Sequence, residues 1–192
     1  MDLFTLLKFG HLVGVILFGA GLLATFVVQR QALAAMDASR LTEALRYALQ
    51  FNTVLTLPGA GLIAATGTGL IMVAGYQVPD HPWIVGMAGL FLIQGVEATT
   101  LGRVRTRRAW SRAQTVMVRD DPLPKDGGTQ ILSPGFRGAH LLSLPVFGLI
   151  VFCGAVRPES WLVVLAAGSM ALGVAAALTV SVPDFEDGAG TA

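Results

Sequence analysis

Charge is scarce in this chain. Only 13% of its 192 residues are Asp, Glu, Lys or Arg. A soluble domain of that length carries about a quarter, which excludes a water-solvated surface of ordinary composition. Cysteine is scarcer still: Cys153 is the only one, so no intrachain disulfide can form, and a lone thiol within an apolar run reads as a small buried hydrophobe. Histidine appears three times, and the six methionines, Met1, Met36, Met72, Met87, Met117 and Met170, are dispersed along the chain. Copper handling needs several soft or imidazole ligands at one depth, so this scatter disfavours it. No basic cluster precedes the first apolar run, and that run is too long for the core of a secretory signal, so it is expected to stay in the mature protein.

What the chain has is apolar length. Hydrophobic residues make up 54% of it and the mean hydropathy is +0.67. About 20 apolar residues carry a helix across a bilayer. Five segments do so, at residues 3–28, 51–75, 83–101, 139–156 and 161–182, which predicts a single all-α, multi-pass membrane bundle. The last two are separated only by "RPES" and should form an antiparallel hairpin. Eleven of the thirteen basic residues fall in the two stretches 29–50 and 102–138, Lys8 and Arg157 being the exceptions. By the bias of Lys and Arg toward the cytoplasm these stretches are inner loops, the N-terminus is outside and the C-terminal tail is cytoplasmic. In the first loop, "MDASRLTEALRYALQF" offers Asp37 or Ser39 as a helix cap and Leu41, Leu45, Ala48 and Leu49 at helical spacing, an interfacial helix leading into the second span. The second begins as a basic continuation of the third helix and ends in the Pro- and Gly-rich "DDPLPKDGGTQILSPG", which reads as irregular. Its arginines follow a span directly, so they read as topology and anionic-lipid contact rather than nucleic-acid binding. Small residues at four-residue spacing, Gly10 and Gly14, then Gly61, Ala65 and Gly69, then Ala167, Ala171 and Ala175, would let helices approach closely.

Polar groups at membrane depth are costly and so carry the most information about function. They fall into two zones. The outer one holds Lys8 and His11, three residues apart on one helical face, with Lys8 nearer water. The inner one holds Glu97 and Gln94 at the end of the third span, Gln50 and Asn52 at the start of the second, and His140 at the start of the fourth. Glu97 and His140 suit a pair closing the inner end. Neutral imidazole is a good axial ligand for iron, so His11 is a candidate ligand of a b-type haem, with Lys8 toward a propionate and His140 as the alternative ligand. His11 lies roughly 12 Å along its helix at 1.5 Å per residue, whereas His140 is near the inner surface, so either the span boundaries shift by about two turns or the two do not share one iron. The bland readings are a snorkelling lysine and a hydrogen-bonded core histidine.

"LLKFGHLVGVILFGAGLL" resembles the first helix of the copper-resistance protein D domain and of the HemJ-type protoporphyrinogen oxidases, where Lys-x-x-His precedes an apolar stretch. Over most of its length the chain resembles the predicted integral membrane family called domain of unknown function 2269, through "LTLPGAGLIAATGTGLIM", the tryptophan opening the third span and the late Arg-Pro turn. The resemblance implies a small multi-pass protein of the bacterial inner membrane, distantly related to haem or copper proteins. Three functional classes are consistent with it: a haem b redox or electron-transfer protein, a non-catalytic scaffold or accessory subunit meeting a membrane-protein partner or a second copy of itself, and copper handling.

Overall fold

A computed structural model describes residues 2–119 and 134–180, with the side chains of 134–141 and 178–180 excepted. All regular structure among the described residues is helical: α1 (Leu3–Leu33), α2 (Ala38–Phe51), α3 (Leu57–Ala74), α4 (Pro82–Val96), α5 (Gly102–Arg119), α6 (Pro134–Val156) and α7 (Trp161–Val180). Two π-helical turns, Asn52–Thr56 and Glu97–Leu101, join α2 to α3 and α4 to α5 without breaking either rod. Three helices are therefore long and apolar enough to cross a membrane: α1, the 37-residue run Ala38–Ala74 and the 38-residue run Pro82–Arg119. Leu142–Val156 and Trp161–Ala177 are shorter apolar helices. The five expected apolar segments are all present in one helical bundle.

The basic end is more ordered than loops would be. Residues 29–33 continue α1, and residues 102–119 continue the third rod as α5. At 1.5 Å per residue, 31 residues span about 46 Å, more than the roughly 30 Å hydrocarbon core, so α1 extends past the apolar zone. Asp37 caps α2, its Oδ1 accepting from the Arg40 N–H at 2.8 Å. Of the buried face of α2, Leu41, Ala44, Leu45 and Ala48, the first three pack with Val28, Ala32 and Ala35 and with Ala109 and Ala113 of α5. Its apolar stripe thus rests on protein, not on lipid. The stretch 120–133 and the acidic tail lie outside the described residues.

Within the bundle α1 crosses α3 almost backbone to backbone. A Cβ added at Gly59 would lie 2.5 Å from the Phe18 nitrogen, and one at Gly14 would lie 3.0 Å from the Ile63 nitrogen. Lipid provides no hydrophobic force between helices, so close backbone contact supplies the attraction. The expected ridge on this span is corrected in phase: Gly61 and Ala65 are exposed, with open space around Gly61, while Gly59, Thr66 and Gly67 face α1. Gly69 does take part, against Leu7. The other ridges serve as expected. Gly10 and Gly14 lie at this seam, and Ala167 and Ala171 pack on Leu149, Cys153 and Val164. Cys153 is fully buried there. Phe18 ties the α1–α3 pair to the rest, with ring centroids 5.7 Å from Phe91 of α4 and 5.9 Å from Phe147 of α6.

The far end is finished tightly. Gly75 takes the left-handed conformation that ends α3, with φ 69°, and its N–H and that of Tyr76 return to the Met72 and Ile71 carbonyls. Tyr76, His81 and Trp83 then stack edge to face, and the Arg157 guanidinium lies 5.4 Å from the Trp83 ring centre. Arg157 belongs to the "RPES" turn, and α6 and α7 form the expected hairpin around it.

Candidate functional site

In the outer zone, where a cofactor is expected, His11 Nδ1 lies 3.3 Å from the Thr66 hydroxyl, which itself donates to the Leu62 carbonyl at 2.5 Å. With its hydrogen on the Leu62 carbonyl, the hydroxyl is placed to accept from the Nδ1–H tautomer of the ring. The ring's Cε1 lies against Gly67. The Thr66 contact is the orienting one an axial histidine needs. Space is another matter. The α1–α3 seam is closed at Gly14 and Gly59, one turn along α1 from His11. Lys8 is exposed one turn further out. The His140 side chain lies outside the described residues.

The inner zone is where space and polar groups coincide. A cavity of about 50 Å³ lies at the basic end, lined on α1 by Leu22, Thr25 and Phe26, across from Asn52, Thr56, Glu97 and Arg103. At roughly 10–15 Å³ per water, it takes about four water-sized groups. Both π turns border it. The first forms where Pro58, lacking an N–H, cannot bond back along the rod and would crowd the Val54 carbonyl. In the second, the Thr99 and Thr100 hydroxyls donate to the Gly95 and Val96 carbonyls one turn back, bonding that loosens a helix. Asn52 staples the two turns together, its Nδ2 donating to the Ala98 carbonyl at 2.8 Å. Such turns recur at functional sites because they re-aim side chains and free carbonyls.

Four side-chain atoms of the cavity wall are buried and unpartnered: Thr25 Oγ1, Asn52 Oδ1, Thr56 Oγ1 and Arg103 Nε. Thr56 is 1% exposed and Asn52 8%. Leaving one such group unsatisfied costs about 1–3 kcal/mol, and here four of them belong to residues that line one cavity. Glu97 and Arg105 form an ion pair there, Nη1 to Oε1 at 3.2 Å.

Of the sequence-predicted inner residues, Asn52 and Glu97 line the cavity. Gln94 is buried one turn away and donates to the Ser143 carbonyl at 2.6 Å, fastening α4 to α6. Gln50 is exposed and takes no part in the cavity. Thr25, Thr56, Arg103 and Arg105 escape sequence reasoning. The two threonines are legible only as isolated hydroxyls in apolar runs, and the two arginines are hidden by the placing of a loop boundary at residue 102. No group of three or more His, Cys, Asp or Glu able to hold a metal occurs among the described residues.

Fold and site together define an integral membrane helical bundle with a polar cavity at its basic end. The family model "Predicted integral membrane protein (DUF2269)" matches residues 5–158, and the chain belongs to that family. No curated protein and no solved structure matches the chain.

Proposed function

We propose that this protein is a membrane-embedded receptor or carrier that holds a small polar group in the cavity between its two π turns. The observation that carries this reading is the pair Asn52 and Thr56, both more than nine-tenths buried, both lining the same cavity and each with an unpartnered oxygen. The surrounding groups are hydrogen-bonding rather than nucleophilic: hydroxyls, an amide, a guanidinium and an ion pair. That is a recognition set. The reading also suits an accessory subunit that presents a bound molecule to a membrane partner. A bacterial inner membrane, with the basic end cytoplasmic, is the setting that the bias of Lys and Arg supports.

Thr56→Val is the test, because it removes the hydroxyl at nearly constant volume. Without an occupant, losing an orphaned hydroxyl should raise stability, by about 1 kcal/mol. Native mass spectrometry of the purified chain in mild detergent should show a retained small molecule on the native protein and none on Thr56→Val. A retained mass indifferent to this substitution sinks the reading.

Haem b on His11 is the second reading, favoured by the Thr66 contact that orients the ring through Nδ1. It puts Lys8 at a propionate. A reduced-minus-oxidised b-type band lost in His11→Ala supports it, while a band that survives moves the ligand to His140. Copper handling would need a ligand cluster at one depth, which neither the methionine spacing nor the described residues supply.

A further inference from the structure

If the inner cavity is a binding site, its chemistry also specifies the class of its occupant. The donors and acceptors of the cavity are unequal in kind. Arg103 Nε and the hydroxyls of Thr25 and Thr56 are unpartnered and can donate. Asn52 donates one amide hydrogen to the Ala98 carbonyl, and its unpartnered oxygen, as an amide oxygen, can only accept. Glu97 is matched by Arg105, which leaves Arg103 as the one charge of the wall with no ion-pair partner among the described residues. Three donors with one net positive charge suit an oxyanion, and a guanidinium edge suits phosphate oxygens in particular. The acceptor on Asn52 suits a hydroxyl carried beside that anion. The room for about four water-sized groups matches a tetrahedral oxyanion. The position matches too: the cavity lies where the apolar helices give way to the arginines of α5, the depth of phospholipid headgroups.

We infer that the cavity binds a phosphate ester whose neighbouring group bears a hydroxyl, the chemistry of a glycerol phosphate, presented either by an anionic phospholipid headgroup or by a soluble ester; this assignment rests on the cavity being a binding site at all. It differs from the diffuse attraction of a basic surface for anionic lipid, because one arginine of the run, Arg103, acts from inside a cavity whereas Arg107 is exposed.

The experiment uses the full chain in phosphatidylcholine micelles doped with phosphatidylglycerol, with phosphatidic acid, or with added glycerol 3-phosphate, and reads thermal midpoint and bound mass. Phosphatidylglycerol should raise the midpoint more than phosphatidic acid, which has the phosphate without the hydroxylated neighbour. Arg103→Gln should weaken that binding by roughly tenfold or more, the worth of one charge-assisted hydrogen bond. Arg107→Gln should change it less than about twofold. Arg103→Lys, which keeps the charge and serves if the glutamine variant folds poorly, should fall between. A saturable shift with glycerol 3-phosphate, lost in Arg103→Gln, assigns the site to a soluble ester; a shift with the lipid alone assigns it to the membrane. Equal losses in the Arg103 and Arg107 variants, or indifference to all three phosphates, overturn the inference. In the latter case, a molecule of other chemistry still displaced by Thr56→Val would leave the cavity reading standing. If nothing is displaced, both fall.

Discussion

At the outer end, Tyr76, His81, Trp83 and Arg157 bring the α3–α4 connection and the α6–α7 turn together through stacked rings and a cation over an indole face. At the basic end the rods pass through their π turns, and four buried polar atoms of residues that line a cavity have no partner. The same helices serve both ends, so the difference lies in which local bonds were completed. Rings and a glycine cap close the end opposite the basic residues. Proline and back-bonding threonines open the inner end, and stability is given up there in groups that only an occupant can satisfy. The substitution that would stabilise, Thr56→Val, therefore sits at one end, and those that should only destabilise sit elsewhere.

The largest effect should come from the seam on which both ends depend. Gly59→Ala places a methyl against the Phe18 backbone, where no rotamer can relieve the contact, and should cost about 3 kcal/mol in detergent unfolding. Gly61→Ala, two residues on with open space around it, should stay within about 0.5 kcal/mol. Equal costs would mean that α3 is rotated from this placement, and the cavity would lose Asn52 and Thr56 with it.

That pair of glycines shows what the sequence could and could not disclose. Apolar length marked every span, because a bilayer demands it of each helix separately. Asp37 and "RPES" marked a helix start and a hairpin through local chemistry alone. The rotational phase of α3 was not legible. A lipid-facing side is as apolar as a packed one, so Gly61 and Gly59 look alike until the partner helix is known. The same holds for the cavity. Asn52 and Glu97 stood out as polar groups at depth. Thr25 and Thr56 read as ordinary helix threonines, and Arg103 as a topology signal, because their meaning depends on two π turns meeting across the bundle. Trp83 and the Arg157–Pro158 turn carried the family resemblance as separate features, and the structure shows them to be one contact.

An intermediate effect should come from that contact. Trp83→Ala removes two aromatic neighbours and the cation above the ring, a loss of about 2 kcal/mol in the thermal or denaturant unfolding of the purified chain. Arg157→Gly should be nearly neutral. It loses the cation–π contact, worth about 0.5–1 kcal/mol, but relieves a non-glycine residue of its left-handed backbone at φ 52°. Neither change should alter the mass retained in the inner cavity. A loss of that mass in Trp83→Ala would show the two ends to be coupled through α4 rather than finished independently.

The smallest effect belongs to the first turn of α1, where Asp2 accepts from the Thr5 N–H at 2.8 Å. Hydrogen bonds from Thr5 hold its carboxyl below the ordinary carboxylate range. A carboxyl with a lowered folded-state pKa stabilises fully above its unfolded value and loses that contribution as the pH falls through the folded one. Amide exchange in the first turn of α1 should therefore quicken only on strong acidification, with its midpoint below that of a free aspartate. Asp2→Asn keeps an oxygen able to accept from the same N–H but gives up the negative charge at the helix start, so it should remove the acid limb while leaving the turn capped near neutrality. The cavity lies at the other end of α1, and its retained mass should not follow this titration. Acid release of the bound molecule on the Asp2 midpoint, abolished in Asp2→Asn, would join the two ends along α1 and break the contrast between them.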